Sequence, residues 1–476
     1  MTFKISSTTL TPLIIACALF MEHLDGSVIA TALPAISHSL HTDPLHLNLA
    51  ITSYLFSLAI FIPLSGWAAD RFGARNVFRS AIVVFILGSI ACGLSINLCT
   101  LVLSRCLQGL GGAMMVPVGR LVLLRTIPKS QLVDAMAWVT VPALIGPVLG
   151  PPIGGLIVTY TSWRWIFFIN LPIGLLGILL ATLYIGDVRG GAREPLDIKG
   201  FLLMGLSLAG LVFSFETLGR HLVSPSIVLA FFITGILYLF LYQRHIKGHL
   251  NPIIDVSVLQ YPTFRASILG GSLFRIGIGA LPFLLPLMLQ YGFGVSPATS
   301  GFITLASAAG AIVMKIIASP LIRRFGFRDI LVSNALINVI FLAGCALLIA
   351  TTPHILVFIF LLVGGFFRSL QFTALNTIAF AEIPECKLSR ANTLYNMMQQ
   401  LTLSLGVTIG ALFLNLSLAW HDSQNLSAQD FWPAYIGISF LSILSLFSFL
   451  PLNADAGNEV SGHMQRMASS PPKDLP

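Results

Sequence analysis

The stretch Glu22-His23-Leu24-Asp25-Gly26-Ser27-Val28-Ile29-Ala30-Thr31-Ala32-Leu33-Pro34 decides how this chain folds. It closes the first long apolar run, which begins near Thr11, and it carries two carboxylates. Glu22 and Asp25 are three positions apart, so on a helix they share a face. A charge at the centre of a bilayer costs about 2.5–3.5 kcal/mol on insertion scales, and acids kept there line cavities or pair with other groups. We therefore expect Glu22 and Asp25 to take up and release a proton. His23 either titrates with Glu22 or faces a neighbouring helix.

The composition agrees with a membrane setting. Of 476 residues, 56% are hydrophobic and 9% charged, against roughly 25% charged in soluble domains. That is too few charges to coat a soluble core. The apolar runs are too long for barrel strands, so the expected class is all-α and polytopic. The net charge of +8 lies in short gaps between apolar runs, where it reads as topology rather than nucleic-acid affinity. The six cysteines show no paired spacing; four lie inside apolar runs, and core residues rather than a disulfide or metal framework are expected. The apolar run after Lys4 continues past any plausible cleavage site, so it is expected to be an uncleaved span.

Apolar windows of about 20 residues give fourteen expected spans: 11–33, 47–69, 77–97, 100–125, 134–160, 163–186, 198–219, 225–246, 265–291, 297–320, 329–350, 354–378, 389–419 and 431–452. With the N-terminus inside, 19 of the 26 Lys and Arg residues fall on the cytoplasmic side. Only Arg164 and Arg220 fall outside, and Arg105, Arg120, Arg275, Lys315 and Arg368 lie within spans. This bias favours an even number of spans with both termini cytoplasmic. Arg71-Phe72-Gly73-Ala74-Arg75 recurs as Arg324-Phe325-Gly326-Phe327-Arg328, eight spans later. Two six-helix bundles with a two-helix insertion produce that offset. The expected boundaries are 1–186 for the first bundle, 187–264 for the insertion and linkers, 265–452 for the second bundle and 453–476 for a disordered tail.

Four further blocks now carry a resemblance. Gly66-Trp67-Ala68-Ala69-Asp70-Arg71-Phe72-Gly73-Ala74-Arg75 follows the second span, and Arg105-Cys106-Leu107-Gln108-Gly109-Leu110-Gly111-Gly112-Ala113 lies in the fourth. Gly146-Pro147-Val148-Leu149-Gly150-Pro151-Pro152-Ile153-Gly154-Gly155 lies in the fifth, and Trp163-Arg164-Trp165-Ile166-Phe167-Phe168-Ile169-Asn170-Leu171-Pro172-Ile173-Gly174 opens the sixth. In order and spacing the chain resembles the major facilitator superfamily, and within it the fourteen-helix drug:proton antiporters. The second copy of the loop block departs from the pattern, with Arg323 at the position of Asp70 and Ser319 at that of Gly66. Gly26 stands where family members often carry Thr.

The resemblance implies a role for each block beside its physical reading. Asp70 is expected to pair with Arg71, Arg75 or a helix end, latching a cytoplasmic gate in which Gly66 and Gly73 allow close turns; solvated loop charge is the simpler alternative. Arg105, with Gln108 and Gly109, is expected to relay protons with Asp25 or Glu22, the alternative being that Arg105 snorkels to the outer surface. Gly146, Gly150, Gly154 and Gly155 let two helices touch backbone to backbone, and Pro147, Pro151 and Pro152 bend the helix. In antiporters this seam seals one side of the cavity. Arg275, Arg368, Arg120 and Lys315 are expected to face a substrate cavity with Gln290, Asn396 and Gln400. For Asn376, Asn392, Gln399 and these amides, plain interhelical hydrogen bonding is the favoured reading. Glu216, near the outer end of the seventh span, reads as a snorkelling side chain.

The expected function is proton-coupled efflux of small molecules or drugs across a bacterial inner membrane by alternating access. The protein would be monomeric, would bind substrate, protons and lipid but no nucleic acid, and would need no cofactor beyond the proton gradient. The alternatives are export of an organic anion, such as a carboxylate metabolite or siderophore-like chelator, suggested by five cations against three acids within the spans, or, from another class, a scaffold or sensor without flux. No enzyme motif is present: there is no HExxH, phosphate loop or nucleophile elbow. No metal site is expected, although His38, His41 and His46 crowd the first outer loop.

Overall fold

The computed structural model describes residues 7–42, 44–186, 195–218, 223–249, 251–420 and 427–461. Lys4, Arg189, Arg193, Arg220, residues 462–476 and the side chains of Glu216, Pro147 and Pro151 lie outside the described residues. The rest of the expected disordered tail, 453–461, is instead folded, ending in a helical turn at Asn458–Ser461 that buries Val460 and Ser461. Among those described there is no strand. In chain order the helices are α1 (Ser7–Leu40), α2 (Pro44–Phe61), α3 (Leu64–Phe72), α4 (Ala74–Gly93), α5 (Leu98–Thr126), α6 (Leu132–Tyr160), α7 (Trp165–Phe168), α8 (Asn170–Tyr184), α9 (Ile198–Leu218) and α10 (Pro225–Ile246). They continue as α11 (Pro262–Leu287), α12 (Pro297–Ala346), α13 (His354–Ile378), α14 (Leu388–Trp420), α15 (Phe431–Ile443), α16 (Leu446–Phe449) and α17 (Asn458–Ser461).

Length and composition pick out eleven of the described helices as able to cross a membrane, or twelve if the pair α2 and α3, bent by 58°, is one span. Pro63 sits at that bend, where its missing N–H breaks the helical ladder. The count of fourteen is therefore not confirmed by these criteria. One reason is α12, whose 50 residues would extend about 75 Å as a straight helix. That is more than twice the hydrocarbon thickness, and the helix is interrupted at Gly326 (φ 75°, ψ 168°). Gly73, at the matching place in the repeat, has φ 87° and separates α3 from α4. Both turns need a backbone conformation that a Cβ disfavours.

Two compact units emerge. The first comprises 1–126, 138–257 and 384–412; the second comprises 127–137, 258–383 and 413–476. In the first, α5 is wedged between α2 and α4 by its glycines. A Cβ added at Gly109 would lie 2.6 Å from the Tyr54 carbonyl oxygen, and one at Gly111 would lie 2.6 Å from the Phe85 nitrogen. The insertion helix α9 rests on α2, with Phe61 and Phe201 rings 6.0 Å apart. Its neighbour α10 is exposed over most of its length, as expected of a helix bathed in lipid. In the second unit α12 packs against α13 and α15, and α11 against α15. The six cysteines are all unbridged.

Candidate functional site

α1 and α5 bring the opening stretch and the Arg105 block together. Arg105 donates from Nη1 to Asp25 Oδ2 at 2.6 Å and to Gln108 Oε1 at 2.6 Å, and from Nε to the Ala50 carbonyl at 3.2 Å. Gln108 lies one turn along α5 and donates from Nε2 to Asp25 Oδ1 at 2.8 Å and to Ser89 Oγ at 2.8 Å. Asn170, at the start of α8, adds a 2.8 Å bond to Asp25 Oδ1. Asp25, Arg105, Gln108, Ser89 and Asn170 are all buried. The guanidinium also lies over the Tyr54 ring, 4.3 Å from its centroid. Arg105 is thus paired inside the protein and does not snorkel. In a low-dielectric setting each unpaired member of such a network is costly, and Asn170 Oδ1 has no hydrogen-bond partner among the described residues.

Glu22 lies one turn before Asp25 and is also buried, but its Oε2 and the Tyr54 hydroxyl have no hydrogen-bond partner among the described residues. Both approach Gly112 of α5: a Cβ there would lie 3.0 Å from the Tyr54 hydroxyl and 3.7 Å from Glu22 Oε1. His23 instead faces α6, its Cβ being 2.8 Å from the position a Gly146 Cβ would take. Tyr54, Ser89 and Asn170 were not singled out from the sequence. Asn170 lies within the Trp163–Gly174 stretch, but an uncharged amide in an apolar run carries little signal of its own.

The glycine-rich block of α6 closes on α1. A Cβ on Gly146 would lie 3.0 Å from the Leu24 nitrogen, one on Gly150 would lie 3.1 Å from the Val28 nitrogen, and one on Gly154 would lie 3.0 Å from the Val28 oxygen. Ser27 Oγ donates to the Gly146 carbonyl at 3.2 Å. Gly155 departs from the expected seam, with nothing within 4 Å of its added Cβ. The reason is helical phase: 146, 150 and 154 share a face and 155 is turned about 100° away.

Of the partners expected for Asp70, the structure supplies the helix end, together with an arginine of another helix. Asp70 Oδ1 accepts from Arg125 Nη2 at 2.5 Å and from Ser389 Oγ at 2.7 Å, and Arg125 Nη2 reaches Ser389 Oγ at 2.8 Å. Neither Arg71 nor Arg75 is the described partner; Arg71 is exposed and Arg75 donates to the Ile185 carbonyl at 3.2 Å. Ser389 stands in the first turn of α14, where the helix dipole favours an anion. Gly66 makes room, since its Cβ would lie 3.0 Å from the Ser389 carbonyl oxygen. In the second copy Arg323 pairs with Asp134, in the first turn of α6, at 3.1 Å. The charges are reversed: in the first copy the acid of the loop block faces the start of α14, and in the second the acid itself lies in the first turn of α6.

The remaining expected residues are scattered. Arg120 is buried against the Tyr395 ring at 4.9 Å and reaches Gln399 at 3.4 Å. Asn392 donates to the Pro117 carbonyl at 2.7 Å, which is interhelical bonding, while Asn396 bonds back to the Asn392 carbonyl at 2.6 Å. In the second unit Arg275 is fully buried, Lys315 is buried and donates to Thr373 Oγ1 at 2.6 Å, and half-buried Arg368 donates to Ser307. Gln290 is half-buried in a π-helical turn, Met288–Gly292, and Gln400 is half-buried in α14.

These features define a membrane transporter, and the chain belongs to the Major Facilitator Superfamily, whose model matches residues 15–266 and 267–467. It is 38% identical over 442 residues to the "Putative multidrug resistance protein MdtD" of Escherichia coli O6:H1, covering 92% of this chain and 93% of that one. It is 36% identical over 452 residues to the "Probable transport protein HsrA" of Haemophilus influenzae, covering 95% and 96%. Among solved structures it is similar to the human organic anion transporter MFSD10 (TM-score 0.64, 14% identity, 93% and 99% covered). It is also similar to the proton:xylose symporter XylE (TM-score 0.64, 14% identity, 97% and 99% covered). At that identity the structural likeness shows the fold alone. The chain is a multi-pass, all-α membrane transporter and not an enzyme.

Proposed function

We propose that the protein is a proton-coupled antiporter that exports small molecules or drugs by alternating access across a bacterial inner membrane, with both termini cytoplasmic and no cofactor. The observation that carries this reading is the buried Asp25–Arg105–Gln108–Asn170 network with Glu22 beside it. Arg105 and two amides hold Asp25 in place, whereas Glu22 keeps one buried oxygen without a partner among the described residues, free to accept a proton. Loading from the outer side drives the return to the inward-facing state. The membrane potential contributes about 2.3 kcal/mol per charge per 100 mV. The name of the Escherichia coli relative supports drugs as substrates. In proteoliposomes with an imposed pH gradient, the protein should exchange substrate for protons. Glu22→Gln, Asp25→Asn double substitution should abolish that exchange and its pH dependence. Transport that persists unchanged in the double variant rules out this proton site.

A second reading is export of an organic anion by the same machinery. It is favoured by Lys315 and Arg368, cations within the spans whose described partners are the hydroxyls of Thr373 and Ser307. Competition between lipophilic cations and organic acids for the purified transporter separates the two readings.

A further inference from the structure

One cluster of ligating side chains has no part in that mechanism. Asp197 precedes α9 and caps it, Oδ1 accepting the Gly200 N–H at 2.8 Å, while Oδ2 accepts the Ile253 N–H at 3.4 Å. Its side chain is 2% exposed. On the neighbouring helix, His245 lies in the last turn of α10 and His249 follows four residues later. Both Nε2 atoms converge on Asp197 Oδ1, at 2.8 Å from His245 and 3.7 Å from His249. The two rings are 5.0 Å apart, and the three ligand atoms lie within 4.8 Å of one another. A helix cap needs one carboxylate oxygen; it does not need two imidazoles aimed at the same atom.

The geometry points to a binding site for a divalent late first-row transition ion of the zinc class, held by Asp197, His245 and His249. The donor set fits, since two imidazole nitrogens and one carboxylate suit zinc, nickel, cobalt or copper rather than magnesium or calcium. At bond lengths of about 2.0–2.2 Å, neighbouring ligand atoms of a tetrahedral site lie about 3.4 Å apart. The separations of 2.8 and 3.7 Å bracket that value. The ion takes the place of the hydrogen that His245 and Asp197 share. Three protein ligands leave a position open for water. A cavity of about 50 Å³ beside Asp197, also lined by Asn251 and Ile253, gives it room.

Loading the site has a consequence nearby. His249 Nδ1 accepts the Asn251 N–H over a long 3.3 Å. Coordination through Nε2 puts a proton on Nδ1, so this contact gives way and the connector at 251–253 shifts. The same connector lines the cavity that Asp70, Arg71, Ser389 and Arg390 line from the other side. The insertion thereby gains a means of sensing metal next to the Asp70 pairing.

The test uses full-length, tag-free protein in detergent, stripped with a chelator. It is titrated with Zn²⁺ against a chromophoric competitor, and with Co²⁺ read by its visible absorption. We expect one equivalent per chain. His245→Ala, His249→Ala and Asp197→Asn should each weaken binding at least tenfold, the last keeping an oxygen for the helix cap. Replacing His38, His41 and His46 by Ala should change nothing. Zn²⁺ should raise the thermal midpoint of the wild type and not that of His249→Ala, and the Co²⁺ spectrum should lack a thiolate band. No stoichiometric binding overturns the proposal and leaves a plain Asp–His ion pair. So does binding that survives His245→Ala and His249→Ala, or a thiolate band. If the other variants fail to fold, His249→Ala decides alone, because its ring is 36% exposed. None of these readouts depends on transport.

Discussion

Asp25 is the acceptor on which α1, α5 and α8 agree: Arg105, Gln108 and Asn170 all donate to it. Removing one member of such a buried ion pair typically costs about 3–5 kcal/mol, because the other charge is left alone. Arg105→Lys is not conservative here. One guanidinium serves Asp25, Gln108 and the Ala50 carbonyl at once, and a lysine cannot reproduce that fork. We expect Arg105→Lys to reduce proton-coupled flux at least tenfold while the protein still elutes as a folded species. Asn170→Ala removes a donor from Asp25 Oδ1 and should lower stability by about 1–3 kcal/mol, read as a fall in the thermal midpoint. The two charges of this site were legible because a charge in an apolar run stands out. Ser89, Tyr54 and Asn170 were not, since small polar residues occur throughout such runs and only a contact gives them meaning.

At the scale of elements, the α1–α6 seam depends on three glycines one turn apart. Gly150→Leu drives a side chain into Ser27 and Val28, and overpacking of this kind costs about 1–3 kcal/mol. We expect a lowered thermal midpoint and little transport, whereas Gly155→Ala, with open space around it, should match the wild type on both measures. A second element-scale prediction concerns the connector before α11. Burial pushes the Asp255 carboxyl up, but bonds from Ser257 and the charges of Lys387 and Arg390 outweigh this and hold it below the ordinary carboxylate range. A depressed group contributes stability above its unfolded pKa of about 3.9 and loses it as pH falls through the folded value. The thermal midpoints of wild type and Asp255→Asn should differ at pH 6 and converge below about pH 4.

At the scale of the whole molecule, the two loop blocks are unequal. The Asp70–Arg125 pair is mostly enclosed and shares Ser389, while Arg323 and Asp134 are 46% and 49% exposed. Exposed pairs contribute about 0.2–1 kcal/mol. Asp70→Ala should therefore slow transport by tenfold or more and Arg323→Ala by less than about threefold, measured as initial rates in proteoliposomes. Exchanging the second pair, Arg323→Asp with Asp134→Arg, places a cation at the start of α6. It should leave transport below that of Arg323→Ala alone, because the helix dipole opposes that cation.

The sequence by itself determined the class of the protein. Long apolar runs and sparse charge admit little but a helical membrane protein, because lipid leaves the backbone few other ways to satisfy its polar groups; the motif blocks, through the family they resemble, made it a transporter. It also marked Asp25, Arg105, Asp70 and the glycine seam, whose residue types are costly or unusual where they stand. Only the tertiary structure decided who meets whom. Asp70 meets Arg125, 55 residues away, rather than the arginines beside it. Asp197 meets one histidine in the last turn of the next helix and another just past its end, 48 and 52 residues on. Gly155 falls outside the seam that its neighbour Gly154 completes. Local pattern fixes which face of a helix is polar, but the partner of a buried charge is fixed by packing between helices far apart in the chain.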